Sequence, residues 1–382
     1  MRVVITFIVG IGKQMIMTFC RAPFTGLTID PAGNLNMCCS TSNRKQFNTK
    51  ISDVENLSEF FLDTQMSELR QRMKSQGLEK LAECKFCSRA VTNGLQAEVH
   101  NYNRYKIAEP LELRYLEVTT SNVCNQACAT CNSYFSTKWR KVEKNLPEEF
   151  QTNAKASIIK TPDIDKILNA LPQLHHLNIK GGEPFADKNN LRILNKLVET
   201  NPTCEVIITS NFQNIPDEWW EPLSKLKNLI VGASIDGTGE TYDWIRSGNF
   251  ENTYTNIQKF TSVVGYKPSI NMCISIYNLF NLKETTDFFK GYTQNIYNVV
   301  YNPEYLSPNI IDSITLKRLL LKQFEMNPAN ISPNLWDIPT VDPETQKKRQ
   351  GEFLRYTESM NKIRGFNIFD IHPQLAEIFE YK

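Results

Sequence analysis

Three cysteines stand close together in the run Cys124-Asn125-Gln126-Ala127-Cys128-Ala129-Thr130-Cys131. At C-x3-C-x2-C spacing, the thiolates of Cys124, Cys128 and Cys131 can hold three irons of a 4Fe–4S cube. The fourth iron then stays open to a substrate or cofactor atom. Zinc is the rival metal, but a structural zinc site takes four protein ligands, and no fourth cysteine or histidine lies within this loop. Downstream comes Gly181-Gly182-Glu183-Pro184. Two glycines at a strand end let a ligand approach the backbone closely. Glu183 offers an acceptor there for a cationic amine.

A second set of cysteines precedes the first. Cys20, Cys38, Cys84 and Cys87 supply four thiolates within one block, with Cys39 beside Cys38 as a spare neighbour. Four ligands close an iron–sulfur cluster with no open iron, which suits electron transfer rather than bond chemistry. A tetrahedral zinc ribbon would use the same four. Cys204 and Cys273 read as core thiols.

These residues need elements to position them. From residue 110 onward, strand-like and helix-like segments alternate. The strand candidates are 113–118, 177–179, 206–209, 229–235, 270–276 and 299–301, with helical stretches at 191–198, 254–263 and 282–289 between them. Such alternation argues for parallel βαβ units, and about six of them suit a partial (β/α) barrel. Chemistry should then sit at the C-terminal ends of the strands. Both cysteine 124–131 and glycine 181–182 follow such ends. In the block before, residues 24–37 are apolar and turn-punctuated at Pro31, Gly33 and Asn34, which predicts a hairpin. Met66, Leu69 and Met73 then recur on one helical face. After Pro303 the pattern weakens to an amphipathic helix at 314–324, followed by prolines at 328, 333, 339 and 343 that break the chain.

The triplet loop and the Gly-Gly-Glu-Pro turn on the following strand together resemble the radical S-adenosylmethionine (radical SAM) superfamily. The resemblance implies that Cys124, Cys128 and Cys131 ligate a SAM-cleaving 4Fe–4S cluster. It implies that Gly181, Gly182 and Glu183 hold the methionyl amino group of S-adenosyl-L-methionine. Ser210-Asn211 is similar to the family's segment lining the cofactor pocket, and Ser234 inherits a ribose contact from the Ser-x-Asp-Gly strand end. Asp236 is either a further ribose or substrate contact or a strand-end turn residue. Tyr242, Arg246 and Phe250 resemble the segment that follows in peptide-modifying members. Cys273 and Ser275 alternate on the next strand and so share a face, which lets Ser275 face the cofactor. Thr130 departs from the pattern, which has a large apolar or aromatic residue before the last cysteine. The spacing Cys-x12-Gly-x4-Cys, a long gap, then Cys-x2-Cys resembles the twitch domain, a short relative of the SPASM domain that carries one auxiliary 4Fe–4S cluster. That pattern selects Cys38 over Cys39. The fold class implied is α/β, a partial (β/α)6 radical SAM barrel preceded by a small cysteine-rich α+β twitch domain. The expected division is a leader at 1–15, the twitch domain at 16–100, the radical SAM core at 110–302 and a C-terminal irregular and helical extension at 303–382.

Composition limits the partners. The chain has 382 residues with 43 basic and 41 acidic side chains, so its net charge of +2 points to neither nucleic acid nor an anionic membrane. No stretch reaches the roughly 18–20 apolar residues that span a bilayer. The apolar run at 3–11 loosely resembles a signal-peptide core, but no small-residue cleavage site follows it, so a leader or an early start codon is the plainer reading. Ten cysteines at metal-like spacing, in a chain large enough to have its own core, indicate a reducing cytoplasm. The family implies a peptide or protein side chain as substrate, with oxidation of a small molecule as the alternative, and a reductant such as flavodoxin or ferredoxin. A non-catalytic iron–sulfur or zinc protein is the reading from a different class. No carboxylate, tyrosine or cysteine stands out as hydrogen donor or base.

Overall fold

The computed structural model describes residues 18–41, 46–92, 97–155, 157–159, 161–324 and 340–381. The leader expected at 1–15 and the prolines at 328, 333 and 339 lie outside them. Eight strands form one sheet: β1 (Gly26–Ile29), β2 (Leu35–Asn36), β3 (Tyr115–Thr119), β4 (His176–Lys180), β5 (Glu205–Ser210), β6 (Asn228–Ser234), β7 (Ser269–Ile274) and β8 (Gln294–Val299). Their order is β2-β1-β3-β4-β5-β6-β7-β8, and every neighbouring pair is parallel except β1 with β2. From β3 to β8 the strands lie in chain order. Each crossover therefore steps the same way, and a constant right-handed crossover puts all the helices on one face. That is the partial (β/α)6 barrel expected from the alternation.

The connecting helices form for readable reasons. After β4, Asp187 caps the Lys188–Thr200 helix by accepting from the Asn189 N–H, and Ile193, Leu194 and Leu197 bury one face. After β6, Asn249 caps Phe250–Val264, and Gly265 ends it in a left-handed conformation. The sixth strand begins five residues before the expected 299–301. Its first half, Gln294-Asn295, is too polar to register as a strand, which is tolerable at the open edge of a sheet.

The N-terminal block joins this sheet directly. β1 pairs in parallel with β3, Gly26 opposite Tyr115 through Ile29 opposite Val118. The expected hairpin turn follows β1: Asp30 Oδ1 accepts from the backbone of Ala32 and Asn34, each at 2.9 Å, and Gly33 takes φ of 81°. The Met66–Leu69–Met73 face lies on the Thr64–Gln76 helix and is buried. Leu27, Phe61 and Met66 share one apolar core with Leu116, Leu177 and Leu194 of the barrel.

The C-terminal extension is more ordered than its prolines suggest. Pro343 does not break the chain but begins a 22-residue helix, Pro343–Arg364. Proline has no N–H to waste at the first helical turn, and Asp342 caps that turn by accepting from Thr345 at 2.9 Å. Phe353, Tyr356 and Met360 of this helix form a second core with Trp244, Tyr277 and the two alanines of the triplet loop, Ala127 and Ala129. Among the described residues no helix is long and apolar enough to cross a membrane.

Candidate functional site

The triplet loop leaves the C-terminal end of β3, and its backbone is tied down on several sides. Thr120 Oγ1 donates to Asp187 Oδ2 at 2.7 Å. Ser136 Oγ reaches the Gln126 carbonyl at 2.6 Å, Trp139 Nε1 the Cys128 carbonyl at 2.9 Å, and the Tyr356 hydroxyl the Ala129 carbonyl at 2.6 Å. Arg364 adds a hydrogen bond to the Ala127 carbonyl. With the carbonyls held outward, Cys124, Cys128 and Cys131 all line one cavity of about 340 Å³. Burial pushes the Cys124 thiol up to about 11 and raises those of Cys128 and Cys131 too. The Arg246 guanidinium works the other way on Cys128. A metal taken up here must displace those protons. Among the described residues, no three His, Cys, Asp or Glu side chains already stand in a finished metal-binding geometry.

The opposite wall comes from the end of β4. Gly182 donates to the Ser121 carbonyl at 3.2 Å and Glu183 to the Val123 carbonyl at 2.8 Å, so this turn is fastened to the triplet loop itself. A Cβ at Gly182 would sit 2.3 Å from the Val123 oxygen. The glycine is therefore required first by backbone meeting backbone. Glu183 is buried at the cavity wall. Its Oε1 accepts from Ser210 Oγ at 2.8 Å and from the Phe185 N–H at 3.1 Å, and its Oε2 accepts from the Asn211 N–H at 2.7 Å. Burial raises the Glu183 carboxyl, while these three donors pull it back down. A cation entering the cavity would meet a carboxylate already oriented for it.

Gly181, Gly182, Glu183, Ser210, Asn211 and Ser234 thus meet the three cysteines around one cavity. The structure does not bring Asp236 or Ser275 to that wall. Asp236 is buried behind it, where Oδ2 pairs with Arg246 Nη1 at 2.7 Å and Oδ1 accepts from the Cys273 N–H at 2.9 Å. Ser275 caps the short turn Ile276–Asn278, accepting from the Tyr277 N–H. His175 and His176 lie at the other end of β4, where His176 Nδ1 meets Glu205 Oε1 at 3.1 Å. Gln126, Lys180 and Arg246 also line the cavity and were not singled out as cofactor residues. Lys180 could have been found from the sequence, since it is a cation at the last position before the glycine pair.

The N-terminal thiols gather separately. Cys20, Cys38 and Cys84 are buried and Cys87 is half-buried. Burial raises all four, to about 11 for Cys20 and about 12 for Cys84. Each also lies close enough to another of the set for mutual repulsion: Cys38 to Cys20 and Cys84, after its nearer neighbour Cys39, and Cys20 and Cys84 each to Cys87. Cys39 has different company. Burial pushes it up to about 12, with Glu117 and Lys180 as its main charged neighbours.

No family model matches the chain, and no curated protein matches it. Among solved structures it is similar to native anSMEcpe with bound AdoMet, at 17% identity and a TM-score of 0.39, covering 56% of this chain and 60% of that one. It is similar to Streptococcus suis SuiB bound to S-adenosylmethionine, at 16% identity and a TM-score of 0.40, covering 70% and 61%. A third is the radical S-adenosylmethionine methyltransferase TsrM from Kitasatospora setae, at 11% identity and a TM-score of 0.36, covering 64% and 52%. The chain spans about three fifths of the length of the first two. On its own geometry, the chain joins three thiols and a pre-oriented carboxylate at one cavity on the C-terminal edge of a parallel sheet.

Proposed function

We propose that this chain is a radical SAM enzyme. The observation that carries the reading is the fastening of the Gly182–Glu183 turn to the triplet loop, at 3.2 and 2.8 Å, around a shared cavity. Cys124, Cys128 and Cys131 would hold a 4Fe–4S cluster by three thiolates, which would leave it able to bind S-adenosyl-L-methionine in the shared cavity. When bound and reduced, this pair supplies a carbon radical that abstracts hydrogen from a substrate. Glu183 receives the cofactor's ammonium, held in place by Ser210 and the Asn211 N–H. Ser234 and Asn211 line the remaining wall. Arg246, set by Asp236, places positive charge beside Cys128 and so offsets the negative charge of an iron–thiolate centre.

Cys20, Cys38, Cys84 and Cys87 hold an auxiliary 4Fe–4S cluster that assists electron transfer, within a twitch-like unit at 16–100 that precedes a core at 110–302. Their mutual proximity supports this, and a zinc ribbon on the same four thiols is the competing assignment. The substrate is a peptide or protein side chain, the reductant a flavodoxin or ferredoxin, and the compartment a reducing cytoplasm.

The test is anaerobic reconstitution with iron and sulfide, followed by dithionite and S-adenosylmethionine. The expected result is about eight irons per chain, from two four-iron cubes, and 5′-deoxyadenosine that disappears in Cys124→Ala. About four irons with zinc bound would keep the enzyme and assign zinc to the N-terminal thiols. A fully loaded protein that yields no 5′-deoxyadenosine would overturn the reading in favour of a non-catalytic metal protein.

A further inference from the structure

A second cavity, of about 220 Å³, adjoins the one described and shares Lys180, Gly181 and Gly182 with it. The β1–β2 hairpin forms its other side, through Thr28, Asp30, Asn36, Cys38 and Cys39. Ligand sites for whole small molecules run about 300–1,000 Å³, so this space suits a single side chain.

Its polar lining is incompletely paired. Thr28 is 6% exposed and Asn36 3%, yet Thr28 Oγ1 and Asn36 Oδ1 have no hydrogen-bond partner among the described residues. Buried polar atoms are rarely left in that state. Glu117 is buried, and Tyr115, Asn178 and Lys180 all converge on its Oε2. Lys180 Nζ makes that one contact, at 2.9 Å, and so retains donors. The cavity therefore offers an unpaired acceptor (Asn36 Oδ1), a cationic donor (Lys180) and a hydroxyl able to act either way (Thr28), beside the carboxylates of Asp30 and Glu117.

A primary carboxamide answers this set, with one N–H for Asn36 Oδ1, the other for Thr28 Oγ1, and an oxygen for Lys180. An alcohol has one donor and cannot serve both Asn36 Oδ1 and Thr28 Oγ1 as acceptors. A carboxylate has none and would face Asp30 and Glu117. An ammonium or guanidinium has no acceptor to offer Lys180. We infer that the cavity between the β1–β2 hairpin and the ends of β3 and β4 is the substrate side-chain pocket, and that it takes a carboxamide, the side chain of asparagine or glutamine. This rests on the reading of the adjoining cavity as the cofactor site.

The experiment uses the iron-reconstituted full chain under anaerobic conditions, with ligand-observed NMR titration. The probes are N-acetyl-Gly-Asn-Gly-amide and its Gln, Asp, Ser and Leu counterparts, with free asparagine and glutamine as further arms. The Asn or Gln peptide should bind at least about tenfold tighter than the Leu peptide, and that preference should vanish in Asn36→Leu or Thr28→Val, substitutions close in volume. Should one variant fail to show a cooperative melt, the other carries the test. Tighter binding of the free amino acids than of the peptides would keep the carboxamide pocket and make the substrate a small molecule. Equal binding of Asn and Leu peptides, tighter binding of Asp or Ser, no carboxamide binding up to about 10 mM, or an unchanged preference in the folded variant would overturn it. S-adenosylmethionine is titrated against the same preparation. If it fails to bind while the carboxamide binds, the cofactor reading falls and the pocket stands.

Discussion

Glu183 shows how one side chain ties the candidate site to the stability of the fold. Its carboxylate is buried and holds together the ends of β4 and β5 through Ser210 and Asn211. Removing one donor from a buried acceptor forfeits more than a surface hydrogen bond. Ser210→Ala should therefore cost about 1–3 kcal/mol of stability, read as a lower urea midpoint at unchanged slope. The neighbouring cysteines 38 and 39 make a sharper comparison. Cys38 is repelled first by Cys39 and then by Cys20 and Cys84, whereas the main charged neighbours of Cys39 are Glu117 and Lys180. Cys38→Ser should lower the reconstituted iron count by about four, the content of one cube, while Cys39→Ser should leave it unchanged. A loss of iron in both would mean that the ligand assignment at this pair is wrong.

At the scale of elements, the C-terminal segment is attached to the barrel by a buried histidine. His372, just before the Pro373–Ile378 helix, meets Thr241 of the Gly239–Arg246 helix at 2.9 Å. Burial lowers its pKa to about 4, against a smaller opposing pull from Glu284. The unfolded chain takes up a proton near pH 6.5, but the folded chain does so only near 4. Between those values the unfolded state binds more protons, so stability falls as the pH drops from 6.5 to 4 and levels off below. The full effect is about 3 kcal/mol. His372→Gln should flatten that part of a plot of melting temperature against pH; an unaltered slope would assign the acid sensitivity to other groups. Helices elsewhere in the chain differ in how readable they are. The strongly periodic Lys188–Thr200 and Phe250–Val264 helices show in their apolar spacing. The Pro343–Arg364 helix was hidden by its proline and by a surface dominated by charged and polar residues.

Across the whole molecule, the triplet loop belongs to two bodies at once. Its carbonyls are held by Trp139 from the short helix that follows the loop and by Tyr356 and Arg364 from the C-terminal helix, while its alanines pack into the second core beside Phe353. Phe353 is fully buried there. Phe353→Ala should cost about 3–5 kcal/mol by cavity formation, and should loosen the loop even though residue 353 touches no proposed ligand. The check is calorimetric melting alongside iron retention during chelator challenge. A variant that melts lower yet holds the iron of the triplet as firmly would show that the loop does not depend on this core. At the other edge, β1 extends the barrel sheet and shares its core, so the N-terminal thiols and the triplet are held by one continuous framework.

The sequence by itself determined what depends on neighbours along the chain. The cysteine spacing, the Gly-Gly-Glu-Pro turn, the strand–helix alternation and the hairpin at Gly33 all express local backbone geometry or ligand counting, which short-range patterns carry. Only the tertiary structure decided which side chains face one another. It turned Asp236 away behind Arg246, made Ser275 a turn cap, and brought Lys180, Gln126 and Arg246 to the cavity. It also joined β1 to β3, strands separated by 85 residues. Such pairings are selected by burial and hydrogen bonding summed over the whole core, and no local spacing reports that sum.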